Sequence, residues 1–147
     1  MKIFHSAFVV CLLLSAHAAL ASGPSVSISD VWIRSAPAGV VTLSGYMTLE
    51  NLTGKPLQIL AISSPDFGSV AISPAKIPGQ PHSTLLMKTF TLPPHQPVVF
   101  KQDAAHLQLM QPHKRLFDGD MVTLTFRFSD TSELTLFAPV RRAAPSR

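Results

Sequence analysis

DMVTLTFRFSDTSELTLFAPV, residues 120 to 140, decides the fold class of this chain. Val122, Leu124, Phe126 and Phe128 alternate with Thr123, Thr125 and Arg127. In an extended strand that spacing sends the apolar set to one face and the polar set to the other. A helix facing a core needs its apolar residues three and four apart, and here they fall two apart. A second strand-like run, 133 to 140, follows within a few residues.

The same period extends outward from this stretch over most of the chain. VSISDVWIR (26 to 34), TLSGYMTLEN (42 to 51), PLQILAIS (56 to 63), GSVAIS (68 to 73), STLLMKTFTL (83 to 92), QPVVFK (96 to 101) and AHLQLM (105 to 110) are rich in β-branched and aromatic residues and read as strands. Turn chemistry separates them: Ala-Pro-Ala-Gly (36 to 39), Asn51 to Gly54, Ser-Pro-Asp (64 to 66), Pro-Gly-Gln-Pro (78 to 81), Pro-Pro (93 to 94) and Asp-Gly-Asp (118 to 120). Eight or nine short strands at this spacing predict an all-β sandwich or Greek-key barrel of one domain.

The beginning of the chain sets the compartment. MKIFHSAFVVCLLLSAHAALA has Lys2, an apolar run from Ala7 to Leu14, and Ala19 and Ala21 spaced for cleavage. This pattern predicts a secretory signal peptide over residues 1–21, because the apolar run is too short for a membrane span. Cleavage would release a chain of 126 residues with no cysteine, since Cys11 is the only one. It would keep His82, His95, His106 and His113, and Met47, Met87, Met110 and Met121. Without Lys2, 11 basic residues face 8 acids, a net charge of +3. The basic residues are scattered without interleaved aromatics, which argues against a nucleic-acid partner. Arg141, Arg142 and Arg147, among Ala, Pro and Ser, read as a flexible basic tail over 141–147.

Catalytic patterns are absent from the sequence. There is no Gly-x-Ser-x-Gly elbow, no glycine-rich phosphate loop and no His-x-x-x-His pair. Most of the acids sit in turns, where bonding to the backbone explains them. The chain reads as a non-enzyme.

The order of elements from about Asp30 to Val140 resembles the PCu(A)C family of periplasmic copper chaperones. The resemblance is carried by VWIRSAPAG, GYMTLEN, SSPDFGSVAIS, FTLPPHQPVVF, AHLQLM and LFDGDMVTLTFRF, six pieces in the family's order. It implies a cupredoxin-like β-sandwich over residues 22–140, a periplasmic location and no membrane span after signal cleavage. It also implies Cu(I) held by two histidines and two methionines and handed to a copper-acceptor protein, such as a cytochrome oxidase subunit with its binuclear copper centre, or another copper chaperone. Thioether and imidazole suit Cu(I), which is soft.

Carried onto this chain residue by residue, the resemblance gives half of that ligand set. Met87 falls on the first methionine and His106 on the second histidine. Ser73 stands where the first histidine is expected, and Gln108 where the last methionine is. Two residues nearby are candidates to compensate. His82 lies in the proline-rich connection before Met87. Met110 shares the His106 face in a regular strand, though four residues, roughly 13 Å, separate the two. The candidate metal ligands are therefore Met87, His106, His82 and Met110. The competing expectation is a family member that has lost copper and serves as a periplasmic protein-binding scaffold.

Overall fold

The computed structural model describes residues 23–75 and 85–142. The signal-peptide assignment and His82 lie outside the described residues. Nine strands follow in order: β1 (Val26–Arg34), β2 (Thr42–Asn51), β3 (Leu57–Ser63), β4 (Phe67–Ser73), β5 (Phe90–Leu92), β6 (Pro97–Phe100), β7 (His106–Pro112), β8 (Met121–Phe128) and β9 (Glu133–Arg141). No helix occurs among the described residues. The all-β expectation holds, and most strand bounds lie within a residue or two of those read from the alternation.

The strands run β4-β7-β2-β1-β9-β8-β3-β5, with β6 added to β2 beyond the end of β7. Two halves are joined where β1 and β9 pair in parallel at Ile33↔Val140 and Arg34↔Arg141. The apolar sets named above point inward: Val122, Leu124 and Phe126 are fully buried, as are Ile33, Leu49, Ile59, Ile72, Leu107 and Leu109. Phe90 meets Phe100 edge to face at 5.3 Å, the geometry that ring quadrupoles favour.

Three details differ from the alternation alone. The run 83 to 92 does not form one strand. Met87 bridges to Ile72 at the free edge of β4, and the chain then bends so that Phe90 to Leu92 pair with β3 in the other half. One apolar run thus serves two sheet edges, which period-two counting cannot reveal.

The second difference is a bulge in β1. Ser29 pairs with Thr48 and Trp32 with Tyr46, so three steps on β1 match two on β2. Asp30 takes the left-handed conformation there, with φ +52°, which Asp tolerates better than most residues. The extra residue switches faces: Val26 and Ile28 pack inward before it, Val31 and Ile33 after it. Strict alternation would have put Trp32 inside and Ile33 outside.

The third concerns the C-terminal arginines. Arg141 ends β9, its carbonyl accepts a hydrogen bond from Ser35 N (2.8 Å), and Arg142 N donates to Asp118 Oδ1 (3.0 Å). The two belong to the fold rather than to the tail, because β1 and the Asp118 turn supply their backbone partners. Residues 143–147 lie outside the described residues.

Candidate metal centre

His106 opens β7 at the point where β2 changes partners. β7 pairs with Thr42 to Gly45, and β6 with Met47 to Glu50. The tight connection between β6 and β7 is closed by Lys101 N donating to Ala105 O (3.0 Å) and Ala104 N donating to Lys101 O (3.1 Å), with Asp103 at φ +67°. That turn brings the Ala104 carbonyl to 2.9 Å from His106 Nδ1. A carbonyl can only accept, so Nδ1 carries the proton and the neutral ring keeps its lone pair on Nε2. This is the arrangement in which a histidine is held ready to ligate, its other nitrogen anchored to a carbonyl.

Strand register supplies the neighbours. Ser73 of β4 lies directly opposite His106, and Ala71 directly opposite Gln108. On the other side of β7, the pairing of Gly45 with Leu107 sets Tyr46 beside His106, with ring centroids 6.1 Å apart. Tyr46 in turn faces Trp32 at 4.8 Å. Ser73, His106, Tyr46 and Trp32 therefore form one row across β4, β7, β2 and β1, on the face away from the core. His106 and Gln108 are half-buried, and Ser73 and Tyr46 are buried.

The methionines stand elsewhere. Met87 exchanges two backbone hydrogen bonds with Ile72 (2.9 and 2.8 Å). Directly opposed residues send their side chains to the same face, and Ile72 is fully buried. Met87 accordingly packs against the hydrophobic core, on the side of the sheet opposite Ser73 and His106. The apolar run Leu85, Leu86 and Met87 already allows core packing for Met87, but without alternation it does not fix which face the side chain takes.

Met110 stays in the ladder, opposite Ser69 on β4 and Thr42 on β2. The kink in β7 comes only at Gln111, with φ +57°. It therefore does not fold Met110 back toward His106, and the separation of roughly 13 Å expected for a regular strand stands. His95 and His113 are exposed; His113 Nδ1 donates to Pro65 O at 2.9 Å.

Reading the sequence for ligands passed over Tyr46 and Trp32. Both lie in the motif strands quoted above, but only the strand order and the bulge at Asp30 bring them to His106. Among the described residues no three His, Cys, Asp or Glu side chains gather as a metal cluster. Any centre here rests on His106 with serine, amide or thioether donors. No helix among the described residues is long and apolar enough to cross a membrane.

Comparison with known proteins agrees with this architecture. The family model "Putative lipoprotein LpqE-like" matches residues 26–140. The chain is similar to the copper-bound PCuAC domain from PmoF2, at 23% identity and a TM-score of 0.70 over 82% of this chain and 95% of that one. The apo PCuAC domain of PmoF2 matches at 25% identity and a TM-score of 0.69, over 80% and 90%. The solution structure of Cu(I)-DR1885 from Deinococcus radiodurans matches at 21% identity and a TM-score of 0.67, over 88% and 87%. The shared property at these identities is the PCuAC-type, cupredoxin-like fold. No curated protein matches the chain.

Proposed function

The chain belongs to the LpqE-like family, and from that premise we propose that it is an exported copper-binding protein that holds one copper ion at His106 and passes it to an acceptor protein. The observation that carries this reading is the presentation of His106. Its Nδ1 is anchored on the Ala104 carbonyl, and Nε2 is left as a donor on a half-buried strand face. The PCuAC-type fold supports it, since the structures sharing that fold include copper-bound domains. Those relatives are binding domains, which supports a non-enzymatic role.

Export rests on the signal-peptide pattern of residues 1–21 and suits a periplasmic protein. Transfer of Cu(I) to a cytochrome oxidase subunit, or to another copper chaperone, is the finer form of the proposal. It requires a further soft donor beside His106: the candidates are an imidazole from His82, or Met87 or Met110 after a rearrangement, since Met87 faces the core and Met110 stands four residues along β7.

Binding of copper by the processed protein tests the reading. One equivalent, lost in His106→Ala with the fold intact, is the expected result; absence of any His106-dependent binding would overturn it. A second reading has its own observation. Ser73 and Gln108 replace two ligands, and Met87 is turned to the core, as suits a scaffold that has given up copper. If Ser73→His with Gln108→Met creates binding where the natural chain has none, the second reading is the correct one.

A further inference from the structure

Among the described residues, the donors that share a face with His106 are oxygens. Ser73 contributes a hydroxyl from the strand position directly opposite, and Gln108 contributes an amide two residues along the same strand. Ala71, opposite Gln108, presents only a methyl group, so nothing bulky stands between the amide and the His106–Ser73 pair. None of the four described thioethers lies there: Met47 is buried in the core, and Met121 opens β8 opposite Pro139. Met87 is on the core side, and Met110 is opposite Ser69, two residues beyond the Gln108–Ala71 pair and four beyond the His106–Ser73 pair.

Resting on the reading that His106 binds copper, we infer that the ion this face selects is Cu(II) rather than Cu(I). One imidazole nitrogen with hydroxyl and amide oxygens, completed by water, is the ligand type that suits Cu(II). Among divalent first-row ions Cu(II) also stands at the top of the affinity order. Cu(I) draws its affinity from sulfur, which this face does not offer. Relative to the ligand set that the resemblance implies, the two strand positions are the same and only the side chains at 73 and 108 differ.

The chain carries its own reporter for this test. Trp32 is the only tryptophan, and its ring touches Tyr46, which lies against His106. Paramagnetic Cu(II) held at His106 therefore quenches Trp32 emission, whereas closed-shell Cu(I) leaves it little changed.

The experiment is a pair of titrations of the processed protein. Cu(II) is added with glycine as competitor and followed by Trp32 emission and electron paramagnetic resonance. Cu(I) is added without oxygen against bicinchoninate. The expected result is saturable quenching by one equivalent of Cu(II), with a spectrum showing one coupled nitrogen. His106→Ala and His106→Gln weaken it about tenfold or more, and Gln108→Leu weakens it by a smaller factor. Circular dichroism of each variant confirms that the fold survives.

Ser73→His with Gln108→Met reverses the preference, raising Cu(I) affinity about a hundredfold. Tight, His106-dependent Cu(I) binding with no His106-dependent Cu(II) binding would overturn this inference while leaving the copper-binding proposal intact. Failure of both ions to bind at His106 would overturn both.

Discussion

Replacing Asn51 by alanine removes a side chain whose whole hydrogen-bonding capacity is used inside the protein. Asn51 is fully buried at the end of β2. Its Nδ2 donates to Lys55 O (2.7 Å) and Leu92 O (3.1 Å), and its Oδ1 accepts from Thr53 N (2.9 Å) with the Thr53 hydroxyl 2.7 Å away. One amide thus ties the loop after β2 to the end of β5. The Thr53 hydroxyl also lies 3.0 Å from Lys55 O, so in the variant it can satisfy that carbonyl. Leu92 O, in the interior, loses the amide and keeps only its ladder partner Leu57 across β3 and β5.

Two or three hydrogen bonds at about 1 kcal/mol each give a loss of about 2–3 kcal/mol. A domain of this size has about 5–15 kcal/mol in total. At about 4 °C per kcal/mol the midpoint of thermal unfolding falls by roughly 8–12 °C. Urea unfolding followed by Trp32 emission measures the loss, and Thr53→Ala, which removes only the hydroxyl, should cost less than half as much.

Asn51→Asp sharpens the test. It keeps the acceptor but points a carboxylate oxygen at two carbonyls, so the acid is held above its ordinary pKa in the folded state. The native form then binds more protons than the unfolded one between the two pKa values. Stability of this variant falls as pH rises from about 4, the unfolded value, through the raised folded value. A loss below about 1 kcal/mol for Asn51→Ala, or an Asn51→Asp protein as stable as the natural one at neutral pH, would refute the accounting.

Three further outcomes follow from the backbone and the turns. Asp30→Val forces a β-branched residue to φ +52° and costs about 1–2 kcal/mol, with a shift in Trp32 emission as the bulge adjusts, whereas Asp30→Gly is tolerated; urea unfolding of the pair decides it. Gly68→Ala would place its Cβ 2.6 Å from Gln111 Oε1 and 3.1 Å from Gln111 Cβ, costing about 1 kcal/mol or more; Gln111→Gly, which also suits φ +57°, recovers part of this in a double-mutant cycle. The Asp130 carboxyl is held below its usual range by the Ser132 hydroxyl first and then by Ser25, so its small contribution, present above the unfolded pKa, is lost as pH falls through the lowered folded one; an NMR titration should show Ser132→Ala moving that pKa upward, with no stability change between pH 6 and 8.

The strands were legible because most of them bury one face, and a half-buried strand must alternate. That is why Val122, Leu124 and Phe126 predict their own burial, and why the bounds of β1 and β2 could be read directly. Reading failed where one residue changes parity or one run serves two edges. Asp30 looks like any turn-prone residue within VSISDVWIR, yet its left-handed backbone moves Trp32 to the other face. Leu85 to Leu92 carries no mark of where it leaves β4 for β3. The candidate site suffered in the same way. The positions of Ser73, His106 and Gln108 follow from two regular strands, but the face of Met87 depends on a single bridge to Ile72 that spacing along the chain does not encode.

That division explains how a metal preference can change without a change of fold. The row from Ser73 to Trp32 is fixed by backbone ladders between β4, β7, β2 and β1, and no hydrogen bond of those ladders depends on which side chain occupies position 73 or 108. The core on the opposite face is carried by Ile72, Leu107 and Leu109, all fully buried, and these bear nearly all the packing energy of the two strands. Substitution of half-buried Gln108 therefore carries little folding cost, whereas a larger residue at buried Ser73 carries a packing cost. His106 differs from its neighbours in having a partner of its own, the Ala104 carbonyl, supplied by the turn that joins β6 to β7. Because that carbonyl orients the ring whatever stands at 73 and 108, the presentation of the His106 imidazole is independent of those side chains, and under the copper-binding proposal they are what would decide the ion.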